Sequence, residues 1–503
     1  MRSVTGLPRL GVEIDGSPLP PGAAAAVTSV RVQQGLSLPS LCELALVDPP
    51  AELDLRSIRP GASLRVQVAD AQPALFDGDV TAVELAYGPS RSRAVRIRGY
   101  DHLHRLRKRQ PVRAHVQVTV ADLVRELTGD LGLPVEAAED GPLWPWIIQW
   151  RQSDLELLAD LAARCGLHLA VRDRVLHLFT LEGLGEPLPL VAGENLLEAA
   201  VEVNADSACR TVDAAGWEVH RVEVQRGRAA EPRLGRRVDA SVSPQDVGGT
   251  GRRMLADQPA PTPDHVEAAA QAELDRCAAR EVVLRGVAEG DPRLSPGARV
   301  QLGGVASTIA GRYVLASANH LVDASRGYVT QLSTEPPPGP PRAPAAGAAL
   351  GEVSQVDGAT GRVKAALTSF GEVETDWMQV LSPGAGPKKG LAMLPDVGDR
   401  VLVLFAGGDP AQGIVLGGLY GADGPADPGI EGGAVRRFTL RTAAGHVLRL
   451  DDEKRALRVE DAGGSFVEMT PDGMRLRSRV PLTIEAPGQP VIIRGRSVDF
   501  ERG

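Results

Sequence analysis

The chain has 503 residues, 43% of them hydrophobic and 24% charged, with a formal net charge of −9. That length exceeds one compact core and points to several domains, and the acidic balance argues against wholesale binding to nucleic acid or anionic membranes, which needs a basic footprint. Aromatics make up only 3% while Gly and Pro number 56 and 39, so the expected class is mainly β, built from many short strands and turns.

The N-terminus, Met1-Arg-Ser-Val-Thr-Gly-Leu-Pro8, has no apolar core of a signal peptide, and no run approaches the ~18 apolar residues of a membrane helix. Cytoplasmic assembly without a signal peptide is expected. Leu64–Val68 and Ala94–Arg98 alternate as half-buried strands, and Leu75-Phe-Asp-Gly-Asp-Val80 reads as a strand with a turn inside it. The run Arg105-Leu-Arg-Lys-Arg109 with Arg113 is densely basic but has no interleaved aromatics; a solvated face or subunit contact is expected, and no nucleic-acid partner.

Three helices follow. Thr119-Val-Ala-Asp122 starts one with Leu123, Val124, Leu127 and Leu131 on a shared face. Ser153-Asp-Leu-Glu156 is a capping box for a second, with Leu157, Leu158, Leu161 and Ala162 buried and Gly166 at the stop. A third, Ala-rich, runs from about His265 to Ala279 and leads into the strand Glu281–Arg285. Cys42, Cys165, Cys209 and Cys277 form no C-x-x-C pair and read as reduced core residues.

The plainest boundary is Glu335-Pro-Pro-Pro-Gly-Pro-Pro-Arg-Ala-Pro-Ala-Ala-Gly-Ala-Ala349, whose prolines favour an extended spacer. From Leu350 to Tyr420, Val363–Leu367, Asp376–Val380, Arg400–Phe405 and Gly413–Gly417 pack about five strands between glycine turns, which suits a small closed barrel such as an OB-fold. A Gly/Pro/Asp stretch, Gly421 to Gly433, leads into the last segment. There, from Phe438 to Phe500, pairs of apolar residues flank one outward residue: Leu448/Leu450, Leu457/Val459, Val467/Met469, Met474/Leu476, Leu482/Ile484, Val491/Ile493 and Val498/Phe500. This is the two-residue period of a strand. Such a ladder carries one narrow apolar stripe per chain, which a single copy has no means to bury. Three stripes meeting on an axis would close into a stiff β-prism.

In this order the motifs resemble the spike proteins of contractile injection systems: the type VI secretion VgrG proteins, phage hub-spike proteins and the spikes of extracellular contractile particles. Gly351-x-Val353, Asp357-x-x-x-Gly361-Arg-Val363, Trp377, Gly390, Pro395-x-Val397-Gly-Asp399-x-Val401-x-Val403, Gly408-Asp-Pro410 and Gly417-Gly-Leu-Tyr420 are similar to that family's OB domain. Gly99-Tyr-Asp101, Gln152-Ser-Asp154, Gly290-Asp-Pro292-x-Leu294-x-Pro-Gly297, Gly311-x-Tyr313 and His320 resemble its late-control D hub.

The resemblance implies a multidomain architecture: an α+β hub with two barrel-like domains (1–335), a linker (336–349), an OB barrel (350–421), a second linker (422–435) and an intertwined trimeric β-prism or β-helical needle (436–503). It implies a homotrimer that adapts a hexameric inner tube to a threefold needle, with baseplate proteins, a PAAR-like tip protein and, transiently, the target-cell envelope as partners. The particle would be phage tail-like and possibly extracellular; a type VI tip is the alternative. The needle axis is assigned to Leu448, Leu450, Leu457, Val459, Val467, Met469, Leu476, Ile484, Ile493 and Val498, and a cap to Phe500, Glu501, Arg502 and Gly503.

Catalytic signatures are missing: no G-x-S-x-G elbow, H-E-x-x-H helix or G-x-x-x-x-G-K-[ST] loop occurs. Gly384-Ala-Gly-Pro-Lys-Lys-Gly390 has the wrong glycine spacing for a phosphate cradle, Gly216-Trp217 reads as a core aromatic, and His320 as a satisfied strand histidine. The interval 421–437 is too short for an inserted catalytic domain of ~50 residues. A structural protein without cofactor, metal or catalytic residues is therefore expected; the rivals are a tail-associated cell-wall hydrolase and an OB module gripping oligonucleotide or sugar.

Overall fold

Alternating apolar residues in the first third of the chain build one long sheet rather than separate ones. The computed structural model describes residues 8–50, 58–68, 71–89, 92–218, 223–259, 262–338, 347–421 and 424–500. It divides into two units, residues 1–418 and 419–503.

In the first unit an eleven-stranded sheet runs, in spatial order, Leu196–Val203, Val282–Glu289, Gly327–Ser333, Ser317–Asp323, Val27–Gly35, Leu38–Val47, Arg93–Tyr100, Phe76–Tyr87, Ser63–Val68, Leu10–Ile14 and Ser17–Pro18. Its middle seam pairs the early strand Val27–Gly35 antiparallel with the late strand Ser317–Asp323, Val30 opposite Val322. Arg31 Nε donates to Asn319 Oδ1 across that seam at 3.1 Å. The hub is thereby closed by a contact between segments far apart in sequence, and two hydrophobic cores lie along the one sheet. One core holds Val30, Val32, Leu44, Leu64, Val66 and Ile97, the other Leu284, Val300, Leu302, Tyr313 and Leu332.

The expected turn in Leu75–Val80 is absent. Phe76–Tyr87 is one continuous strand, and Gly78 serves close approach instead: a Cβ there would stand 2.1 Å from the Tyr100 carbonyl oxygen. Sequence reasoning took Asp-Gly-Asp as turn chemistry, whereas the neighbouring backbone demands the missing side chain.

The helices begin where their caps are. Val120–Thr128 follows Thr119, whose hydroxyl accepts from Asp122 N while the Asp122 carboxylate accepts from Thr119 N. Asp154–Arg164 follows Ser153 and Glu156 in the same reciprocal arrangement, and Gly166 beyond its end has φ +70°. The two pack through Leu123, Val124, Leu127, Leu157, Leu158 and Leu161 against the hairpin residues Leu169, Leu176 and Leu178. Leu131, expected on the first helix, lies beyond its last residue but joins the same core. The third helix is Pro263–Ala279, lying on the sheet of Thr211–Glu218, Glu223–Ala229 and Arg252–Pro259. Gly227 allows this approach, since a Cβ would meet Glu267 N at 2.5 Å.

The barrel strands form a six-stranded sheet in the order Val373–Glu374, Val363–Leu367, Ala348–Val356, Arg400–Phe405, Gly413–Gly418 and Gln379–Val380. Its core of Val353, Val363, Leu367, Phe370, Val401, Val403 and Phe405 also contains Ile148 from the hub strand Trp144–Gln149. Trp146 and Trp150 pack on the same core, with Trp150 and Phe370 ring centroids 5.1 Å apart. The Lys364 ammonium sits over the rings of Trp146 and Trp377, at 5.2 and 5.3 Å. Hub and barrel thus share one hydrophobic core.

The second unit holds a five-stranded antiparallel meander: Arg437–Arg441, Val447–Asp451, Ala456–Glu460, Phe466–Thr470 and Gly473–Arg477. The ladder expected to reach Phe500 stops at Arg477; residues 478–500 contain no strand. Pro481, Pro487 and Pro490 remove backbone donors in this stretch.

Candidate functional site

Strand registers in the meander settle which side chains share a face. Leu440, Leu448, Val459, Val467 and Leu476 form one column across the five strands, and Phe438, Leu450, Leu457, Met469 and Met474 form the next. Every position in both columns is apolar. Eight of the ten residues are exposed, from 37% at Leu448 to 64% at Met474, with Leu457 and Val467 half-buried. At roughly 25 cal/mol per Å2, covering such a face would be worth on the order of 10 kcal/mol per chain. A contiguous apolar surface of this kind marks an interaction site.

Seven of the residues assigned to the needle axis, Leu448, Leu450, Leu457, Val459, Val467, Met469 and Leu476, are brought together on this face. Ile484, Ile493 and Val498 are exposed and lie after the last strand, where no register relates them to the others. Phe438, Leu440 and Met474 complete the face; Met474/Leu476 is one of the pairs read from the sequence, and Phe438-x-Leu440 carries the same alternation. Of the assigned cap residues, Phe500 is exposed, while Glu501, Arg502 and Gly503 lie outside the described residues.

The opposite face is polar and organised by ion pairs. Asp427 accepts from Arg437 at 3.2 Å, from Thr439 Oγ1 at 3.2 Å and from Gly429 N at 3.0 Å, and pairs with Arg449 at 3.2 Å. Arg437 also reaches Glu431. These partners, the Arg437 bond foremost, hold the Asp427 carboxyl below its usual range. Arg458 bridges Glu460 and Glu468 and lies 4.0 Å from the Phe466 ring centroid. The two faces give the sheet one side suited to water and one suited to a protein interior.

In the hub, several side chains of the basic run are paired. Arg105 donates to both Asp79 oxygens at 2.8 and 2.9 Å, Arg109 pairs with Asp130, Arg113 with Asp154, and Arg107 lies over the Tyr100 ring. These are contacts within one chain, while Arg107 and Lys108 stay exposed. Asp101 caps the short helix His102–Lys108 by accepting from Leu103 N, and also accepts from Ser40 N; burial pushes its carboxyl up to about 6. It borders a cavity of ≈ 70 Å3, well below the ~300 Å3 of a small-molecule site.

His320 is fully buried in its strand, with Nδ1 within 3.0 Å of Thr330 Oγ1 and 3.2 Å of Tyr328 Oη; among the described residues no group stands within full hydrogen-bond geometry of its Nε2. All four cysteines are buried and free, and burial drives the Cys165 and Cys277 thiols to about 12. The Gly384–Gly390 segment is an exposed turn bridged between Gly386 and Lys389. The Trp217 side chain lies outside the described residues.

Two family models match the chain. The family model for the phage tail baseplate hub (GPD) matches residues 33–325, more than half of the chain. The chain belongs to this family. The model for the type VI secretion system/phage-baseplate injector OB domain matches residues 349–420. Hub followed by injector OB domain makes this a hub-spike component of a contractile injection apparatus.

The spike protein of Escherichia phage P2 is 31% identical over 120 residues, 22% of this chain and 54% of that protein. The hub-spike chain thus spans about half the length of this curated relative. Among solved structures, an E. coli protein described as a component of the type VI secretion system, with similarity to T4 tail proteins gp27 and gp5, superposes with TM-score 0.51 at 14% identity, over 81% of this chain and 99% of its own. The Francisella PdpA–VgrG complex in its half-lidded form gives TM-score 0.55 at 7% identity, over 93% and 87%. At these identities the structures establish a shared fold.

Proposed function

We propose that the hub-spike acts as a homotrimer in which three copies of the apolar sheet face meet on one axis to form a needle. In this reading residues 1–335 are the hub, 350–421 the neck and 436–503 the needle. The single observation that carries it is the ten-residue apolar face left open in one chain. Covered by two other copies, it becomes a dry core; unfolding one chain then requires separating all three.

The work of such a protein is mechanical. A trimeric hub would seat on a hexameric inner tube and a baseplate, transmit the force of contraction, and concentrate it on a small area of target envelope, with a PAAR-like protein at the tip. The segment shared with a phage spike favours a phage tail-like particle over a type VI tip. The protein itself carries out no catalysis in this proposal.

The decisive measurement is the mass of the purified assembly in solution. Three times the 53.0 kDa of one chain is expected. A stable monomer would sink the trimeric needle, and clearing of peptidoglycan in a zymogram by the purified protein would sink the non-catalytic reading.

A further inference from the structure

One open pocket of the hub has room for a small ligand. Its volume is ≈ 440 Å3, and it is lined chiefly by Arg109, Gln110, Arg113, Glu126, Leu127 and Asp154. Small-molecule sites occupy roughly 300–1,000 Å3, so this pocket qualifies where the cavity beside Asp101 does not. Three elements meet at it: the strand Arg113–Val118, the helix Val120–Thr128 and the first residue of the helix Asp154–Arg164.

Behind the pocket runs a buried polar chain. Arg113 donates from Nη2 to Asp154 Oδ1 at 2.9 Å and from Nε to Gln149 Oε1 at 3.1 Å. Gln149 Nε2 donates to the same Asp154 oxygen at 2.8 Å, and the His115 ring nitrogens stand 3.4 Å from Gln149 Oε1 and 3.4 Å from Glu126 Oε1. Asp154, Gln149 and His115 are all more than nine-tenths buried. A bland role explains these bonds, since they tie both helices to the paired strands Arg113–Val118 and Trp144–Gln149. That role asks for a closed, fully satisfied network, whereas this one gives onto a pocket whose walls keep unused donors. A guanidinium has five N–H donors. Arg109 spends its Nη atoms on Asp130 and the Leu127 carbonyl, and among the described residues Arg109 Nε and Arg113 Nη1 donate to nothing. Both side chains are about one-third exposed, at 35% and 37%.

Two guanidiniums and two carboxylates, Glu126 and Asp154, therefore line one pocket. A simple anion would meet the carboxylates and a simple cation the guanidiniums, while a ligand bearing both charges meets each with its opposite. The planar fork of arginine suits a carboxylate in particular.

We propose that this pocket binds a short zwitterionic peptide, its α-carboxylate on the free donors of Arg109 and Arg113 and its ammonium on Glu126. The site lies within the first unit of one chain, so the inference goes beyond the needle reading and does not depend on it.

The test is calorimetric titration of the full chain with trialanine at low salt. Saturable binding is expected, and it should weaken roughly tenfold or more when the amino end is acetylated or the carboxyl end amidated. Glu126→Gln should weaken binding of trialanine but not of its acetylated form, and Arg109→Gln should weaken binding of trialanine but not of its amide. These two crossovers separate recognition from a loss of fold. Should Arg109→Gln fail to fold, Arg109→Lys, which keeps the charge and loses the fork, should give a smaller loss with the same crossover. A twelve-residue peptide ending in three alanines should bind no better than the acetylated tripeptide. No saturation up to about 10 mM, equal binding of the capped or the twelve-residue peptides, or displacement of trialanine by an equal concentration of inorganic phosphate would each overturn the proposal.

Discussion

His320 shows how a residue that resembles a catalytic base serves the fold. Its ring is buried between the strand Gly327–Ser333 and the loop carrying Asp291 and Leu294, and burial drives it from 6.5 to about 4 despite the nearby Asp291 carboxylate. The neutral form is native, and the unfolded chain binds the proton more readily. Stability is therefore complete above about pH 6.5 and falls as pH drops toward 4, by about 2 kcal/mol at pH 5 from this one group. Urea midpoints at pH 7.5 and pH 5 should diverge in the natural protein and converge partly in His320→Gln. His265, also driven to about 4 by burial, contributes in the same window. Next to His320, Gly290 lies flat on Tyr328: a Cβ would stand 2.1 Å from the ring. Gly290→Ala should cost at least ~1–3 kcal/mol through overpacking, read as a lower thermal midpoint of the hub. Gly290 and Gly78 mark a limit of sequence reading, since the reason for each glycine is a neighbour from a distant strand.

At the scale of elements, alternation and caps were informative because they are local. Thr119 and Ser153 announce their helices within four residues, and Leu448-x-Leu450 or Val467-x-Met469 announces a strand and its face within three. The end of the ladder was not legible. Leu482-x-Ile484 and Val491-x-Ile493 keep the strand period, but a strand also needs a partner, and one chain provides none beyond Gly473–Arg477. The ion partners of Arg105 and Arg109 were not legible for the same reason, because Asp79 and Asp130 lie elsewhere in the sequence. Val467 occupies the fourth strand, between Val459 and Leu476. Val467→Asp places a charge in the middle of the apolar face, and is expected to abolish the trimer while residues 1–335 remain folded. Assembly mass and protease resistance together check this; an intact, resistant trimer would mean that the inward face is misassigned.

For the molecule as a whole, the proline-rich spacer before the barrel suggested two bodies on a tether. Instead Ile148, Trp146 and Trp150 enter the barrel core, and nothing local to Trp144–Gln149 names the distant barrel as its partner. Ile148→Asp should therefore lower the stability of hub and barrel together, by about 3 kcal/mol or more for a charge in a dry core, seen as a shared shift in both melting signals. A variant in which only the barrel melts early would contradict a common core.

A shared core also makes the covalent link between the two bodies redundant. If the gene were divided at codon 340, the two polypeptides should find one another through Trp150, Phe370 and Ile148 and elute as one species. Evolution could then lengthen, shorten or decorate that junction without renegotiating the fold, while Trp150→Ala would loosen what the peptide bond alone was never needed to hold.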